Sequence, residues 1–248
     1  MGEHEDLVLL HGFAGTRRTW DGVLSHLDRE RYRPLALDLP GHGELGGHTG
    51  PIDFDACIAS VLERCPDRFA LCGYSMGGRI ALRLALEQPR RVSRLTLVAC
   101  SPGVEDERER ERRRQADRAL ADEIEAKPIE WFAERWCGQP MFAEDPSEID
   151  ALARADYLRN DPRRLAAVLR GLGTGEMEPL WGRLGQLALP VVVLAGDRDA
   201  KFQAIAQRMA DLLPDARTEA VPGGHRLPLE SPARVTSAIS TFKAKGGL

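Results

Sequence analysis

The stretch Phe69-Ala70-Leu71-Cys72-Gly73-Tyr74-Ser75-Met76-Gly77-Gly78 decides how the chain reads. Four apolar residues with strand character run into Gly-x-Ser-x-Gly, and a long apolar helical pattern, Met76 to Glu87, follows at once. A serine flanked by glycines between a strand and a helix is the setting of a nucleophile elbow, a tight turn that presents the hydroxyl at a sheet end. A free hydroxyl is a poor nucleophile and a poor base. It needs an imidazole to take its proton and a carboxylate to orient that imidazole. Reading Ser75 as the reacting residue therefore predicts an acid and a histidine farther along, each just beyond a strand.

Outward from the elbow, six short β-rich apolar runs read as buried strands: Leu7–Leu10, Pro34–Leu37, Phe69–Cys72, Leu95–Ala99, Val191–Ala195 and Thr218–Val221. Helical patterns alternate with them at Arg17–Leu27, Phe54–Glu63, Met76–Glu87, Phe202–Leu213 and Pro232–Phe242. This alternation predicts an α/β fold, a mostly parallel sheet flanked by helices, with the site beyond the carboxyl ends of the strands. His11, Asp38, Gly73 and Gly196 fall at such ends. Between Ser101 and Trp181 the rhythm breaks. That region lacks a strand pattern, opens on the charge run Glu105–Arg114, and holds Trp131 and Trp136. It reads as a helical cap, so the expected organisation is core 1–102, cap 103–180 and core 181–248.

The 248 residues carry a formal net charge of −4, 43% apolar and 29% charged residues. Those values are ordinary for a globular protein and give no reason to expect nucleic acid or an anionic membrane as partner. No apolar run reaches the 18 residues of a membrane span. The five cysteines, at 57, 65, 72, 100 and 137, are odd in number and form no C-x-x-C pair. A disulfide framework or zinc site is not expected, and a reducing cytoplasm is. With no metal-ligand spacing and no nucleotide loop, no cofactor is expected. The sequence selects no oligomeric state.

Two aspartates follow the strand ending at Ala195, in Gly196-Asp197-Arg198-Asp199, and either would also suit as a cap for the next helix. Of six histidines, His4 and His26 read as surface residues, and His42 and His48 lie in a glycine-rich loop. His225, in Pro222-Gly223-Gly224-His225 after the last strand, has the position a general base requires. His11-Gly12-Phe13 follows the first strand.

Together, His11-Gly12-Phe13, Asp38-Leu39-Pro40-Gly41-His42-Gly43, the serine elbow, the G-x-x-D turn and the late histidine resemble the α/β-hydrolase superfamily over essentially the whole chain. The resemblance implies an α/β-hydrolase fold that starts near the superfamily's third strand. It implies Asp199, the fourth residue of its turn, as the orienting acid, and the backbone N–H groups of Phe13 and Met76 as the oxyanion hole. His11 then holds the loop.

Within that superfamily, Gly73–Leu82, Ser101-Pro102-Gly103, Trp136–Phe142, Arg159-Asn160-Asp161-Pro162, Leu169–Gly175 and Gly196–Phe202 resemble the 2-succinyl-6-hydroxy-2,4-cyclohexadiene-1-carboxylate synthases of menaquinone biosynthesis. The resemblance implies a lyase that eliminates pyruvate from a polycarboxylate by serine–histidine proton abstraction. It implies Tyr74, Arg79, Arg113, Trp136, Phe142 and Arg159 as the residues that hold the substrate. Arg79 stands one turn into a helix, where a cation opposes the helix dipole, a cost that a carboxylate ligand would compensate. The other reading is a carboxylesterase or C–C hydrolase using the same triad. Arg226 and Leu227, directly after His225, depart from the family pattern.

Overall fold

The structure is a computed structural model that describes residues 4–47 and 50–241. His48 and the expected helix end at Phe242 lie outside the described residues. Six strands form one sheet: β1 (Glu5–Leu10), β2 (Tyr32–Leu37), β3 (Phe69–Tyr74), β4 (Val92–Val98), β5 (Val191–Gly196) and β6 (Ala216–Val221). Their order is β2-β1-β3-β4-β5-β6 and every pairing is parallel. All six lie where the hydrophobic runs place them. Most begin two or three residues earlier, because backbone pairing recruits polar residues such as Glu5 and Arg33 that carry no apolar signal.

The helices are α1 (Asp21–His26), α2 (Phe54–Arg64), α3 (Met76–Glu87), α4 (Glu107–Glu125), α5 (Ile129–Cys137), α6 (Ser147–Tyr157), α7 (Pro162–Leu172), α8 (Ala200–Leu212), α9 (Leu227–Glu230) and α10 (Pro232–Ser240). The expected Arg17–Leu27 helix is a 3-10 turn, Arg17–Trp20, followed by α1. α9 has no counterpart in the sequence reading.

The central strands β3 and β5 are buried at every position, as a parallel sheet covered on both faces requires. β6, at the edge, carries the exposed residues Arg217 and Thr218, which discourage further strand pairing. One apolar cluster fills the face under α2, α3 and α8, and a second fills the face under α1 and α10. α4 to α7 lie between β4 and β5. They build a third cluster around Ile124, Phe132, Tyr157 and Leu165, against which Phe13 packs. The charge run is mostly a solvated face of α4, laced by ion pairs such as Arg110–Glu107 and Arg113–Asp117. Strand order reverses between β1 and β3. The crevice beyond those two carboxyl ends is where such a sheet leaves room for a site.

Candidate active site

β3 ends at Tyr74 and α3 begins at Met76, so Ser75 alone makes the turn. Its φ of 51° and ψ of −111° are strained for a residue with a side chain. Neighbouring bonds hold it there. The Ser75 N–H donates to the Val98 carbonyl at 2.9 Å, and the Arg79 N–H donates to the Ser75 carbonyl at 3.1 Å. The turn is this tight because Gly77 lies against the end of β1: a Cβ there would stand 2.5 Å from the His11 carbonyl oxygen and would also strike that of Leu10.

His225 comes from the loop after β6 and is 1% exposed. Its Nε2 lies 3.1 Å from Ser75 Oγ and its Nδ1 lies 3.0 Å from Asp199 Oδ2. A carboxylate at Nδ1 keeps the ring proton there and leaves the Nε2 lone pair facing the serine. Asp199 does a second job, because its Oδ1 accepts the Phe202 N–H at 3.2 Å and caps α8. Asp197 points elsewhere: its Oδ1 accepts the Gly223 N–H at 2.9 Å, tying the end of β5 to the glycine loop before His225.

The loop after β1 is fixed from two sides. His11 donates from Nδ1 to the Gly12 carbonyl at 2.8 Å and accepts the Leu39 N–H at Nε2, 3.0 Å away. His42 accepts the Ala14 N–H at Nε2, 3.2 Å away. Burial pushes both imidazoles down, His42 the further, which keeps them neutral and able to accept. From α6 and the turn after it, Asp156 accepts the Thr16 N–H at 2.9 Å and both threonine hydroxyls of Thr16 and Thr19. Asn160 donates to the Ala14 carbonyl at 2.7 Å. Phe13, on this loop, lines the same cavity as Ser75. Asp156 and Asn160 were not foreseen in this role, although Asn160 lies in the quoted Arg159-Asn160-Asp161-Pro162 motif.

Ser75, His225, Phe13, Tyr74, Trp136 and Phe142 line one cavity, with Arg226 in its wall. The helical segment supplies Trp136 and Phe142, so the segment closes over the serine. Trp136 meets Phe13 edge-on at 4.9 Å and stacks on Phe132 at 5.7 Å. The cavity holds about 50 Å³, room for a water or two and far below the several hundred Å³ of a usual ligand pocket.

Of the expected substrate-holding residues, Tyr74, Trp136 and Phe142 meet at this cavity and the three arginines do not line it. Arg79 is buried. Its Nη1 donates to the carbonyls of Leu172 at 2.8 Å and Gly173 at 3.3 Å, the C-terminus of α7. In place of the expected carboxylate ligand, this guanidinium meets the negative end of another helix. Burial pulls this guanidinium down to about 10, with Asp117 acting in the opposite direction. Arg113 is half exposed and lies 3.3 Å from Asp117. Arg159 is half exposed and lies 3.9 Å from Asp156. Arg226, passed over in the sequence as a departure, is the arginine that lines the cavity.

A serine hydroxyl facing an imidazole Nε2, with a carboxylate at that imidazole's Nδ1, at the end of a parallel sheet, is the arrangement that defines enzymes of α/β-hydrolase type. Residues 7–238 match the alpha/beta hydrolase family, and the chain belongs to it. Among its relatives is a Bacillus subtilis (strain 168) protein provisionally named as a 2-succinyl-6-hydroxy-2,4-cyclohexadiene-1-carboxylate synthase. It is 34% identical over 96% of this chain and 90% of that protein. The pimeloyl-acyl-carrier-protein methyl ester esterase of Nitrosomonas europaea is 32% identical over 97% of this chain and 96% of its own length. The solved structure of MenH from S. aureus superposes with a TM-score of 0.90 at 34% identity, covering 96% of this chain and 93% of that one.

Proposed function

We propose that this protein is a carbon–oxygen lyase that eliminates pyruvate from a polycarboxylate cyclohexene to give 2-succinyl-6-hydroxy-2,4-cyclohexadiene-1-carboxylate in menaquinone biosynthesis. The carrying observation is likeness along the full length, helical segment included, to proteins bearing that synthase name. The geometry supports a specific course. His225 Nε2 takes the Ser75 proton, and Ser75 Oγ takes the substrate proton beside a carbonyl. The resulting enolate oxygen is held by the N–H groups of Phe13 and Met76. The electron pair then moves into the ring, the carbon–oxygen bond breaks and the group leaves as enolpyruvate; the proton held on His225 returns to it, giving pyruvate and restoring the neutral Ser75–His225 pair. No water attacks and no acyl-enzyme forms. Asp199 steadies the imidazolium that forms on His225. Residues 103–180 act as a cap that withdraws to admit the substrate. Arg159 and Arg113, half exposed and held only by single ion pairs, are free to turn toward its carboxylates as the cap moves, and Arg79 braces the cap's α7.

No described helix is long and apolar enough to cross a membrane. A cytoplasmic setting accompanies this reading, since the five free cysteines suit a reducing compartment. Pyruvate release from the synthase substrate tests the proposal. Release above a Ser75→Ala control is expected, and none above it sinks the lyase reading. A second reading, ester hydrolysis through an acyl-enzyme on Ser75, is favoured by the Nitrosomonas europaea relative and by the lack of Arg79, Arg113 and Arg159 from the cavity wall. Rapid turnover of a dicarboxylate methyl ester, unaffected by Arg159→Ala, would select it.

A further inference from the structure

Among the described residues that line the cavity beside Ser75, Arg226 is the one arginine or lysine. It is 1% exposed, and its guanidinium carbon stands 3.7 Å from the centre of the Phe142 ring and 5.7 Å from that of Tyr157. Phe142 also reaches the base, since its ring centre lies 6.0 Å from that of His225. The donors of the guanidinium are used unequally. Nη1 donates to Asp145 Oδ2 at 2.7 Å and Asp150 Oδ1 at 2.5 Å, and Nε donates to the Tyr157 hydroxyl at 3.3 Å. Nη2 donates to no oxygen among the described residues and meets Cys137 Sγ at 3.6 Å, a weak acceptor. The cavity's other carboxylate, Asp156, is taken up by the Thr16 N–H and the hydroxyls of Thr16 and Thr19.

We propose that Arg226 is a carboxylate-binding residue of the Ser75 site: the edge formed by Nη1 and Nη2 receives one carboxylate of an anionic substrate, and Asp150 yields its place on Nη1 to that group. A guanidinium edge matches a carboxylate with two parallel bonds, which a thiol cannot supply. The two aspartates differ in how readily they leave. The Asp150 side chain is 40% exposed, so water can take it over, whereas that of Asp145 is 2% exposed. Burial pushes the Asp145 carboxyl up to about 6, against the pull of Arg226, so it depends on this cation to stay charged. Asp145 therefore remains, and exchange of Asp150 for a ligand carboxylate leaves no buried charge unpaired. The Phe142 ring face keeps the guanidinium plane from turning away while the exchange takes place. The inference rests on the lyase reading for its polycarboxylate substrate, and it supplies that site with a cation where Arg79 is engaged elsewhere.

Calorimetric titration of the full chain with succinate, a small dicarboxylate, tests this without any turnover, and succinamide serves as the neutral probe of the same length. Succinate is expected to bind and succinamide is not. Asp150→Asn removes the competing charge and is expected to tighten succinate binding about tenfold, the scale of one charge-assisted bond. Arg226→Gln is expected to weaken it about tenfold or more, and Arg226→Lys, which keeps the charge but loses the fork, to weaken it less. Glu148→Gln, at an exposed carboxylate on the same helix as Asp150, is expected to leave the affinity unchanged. Succinate binding no tighter in Asp150→Asn than in wild type overturns the exchange, and this holds even where Arg226→Gln fails to fold. Equal tightening in Glu148→Gln reduces the effect to general charge and overturns it as well. Wild-type affinity in Arg226→Lys, or in a folded Arg226→Gln, overturns Arg226 as the receiving group. Failure of pyruvate release beside the expected binding results removes the lyase reading and leaves the carboxylate site standing.

Discussion

Replacing Asp199 with asparagine separates two jobs that one carboxylate performs. Oδ2 faces His225 Nδ1 at 3.0 Å, and Oδ1 caps α8 through the Phe202 N–H at 3.2 Å. Asparagine retains an acceptor for the cap and puts an N–H donor where Oδ2 stood. That donor turns Nδ1 into an acceptor, so the ring proton moves to Nε2 and points at Ser75. The base is lost with its geometry intact. In serine proteases the same wrong tautomer lowers kcat by about 10,000-fold, about 5 kcal/mol of transition-state stabilisation. The fold is expected to lose little. Asparagine caps a helix about as well as aspartate, and the missing charge costs about 0.3–1 kcal/mol at the helix end. The checks are pyruvate release under saturating substrate and urea denaturation of the same preparations. Activity within tenfold of wild type would refute the reasoning and shift the role to Asp197. The side chain of that residue accepts the Gly223 N–H, and Asp197→Asn is expected to lower kcat less than tenfold.

Gly77→Ala is expected to cost about 3 kcal/mol or more in urea denaturation, the upper range for overpacking, because the carbonyls it strikes are backbone atoms at the end of β1 and of the residue after it, which cannot turn aside. Wild-type stability would mean that α3 and β1 are less tightly joined than described. The buried neutral pair His11 and His42 has folded-state pKa values below the unfolded 6.5. Their stabilisation is full above pH 6.5 and is lost as pH falls below it, by up to about 1.4 kcal/mol per pH unit for each imidazole. Asp145, pushed up to about 6, opposes this by gaining its proton earlier in the folded chain. Comparison with His42→Gln isolates the histidine contribution: its stability is expected to fall less steeply than that of wild type between pH 7 and 5.5, and equal slopes would refute the assignment.

Much of the fold was legible because its signals are local. An apolar run of four to seven residues, a glycine-flanked turn and a helical period each lie within one short window. The elbow at Ser75 stands between two such signals, and Asp199 and His225 follow strand ends that read equally clearly. α9 was not legible, since four residues carry no period. The arginines were not legible either, for a different reason. Arginine type and helical position say that a cation stands near the serine, but its partner is set by whichever chain segment packs opposite. Arg79 meets the end of α7, 93 residues away, and Arg226 meets Asp145, 81 residues away. By itself the sequence determined the strands, the order of elements along the chain and the serine at the elbow, because these follow from nearest-neighbour chemistry. Which cation faces the cavity, and what holds the cap over Ser75, was decided only by tertiary structure, because an ion pair between distant segments exists only once the sheet has brought them together.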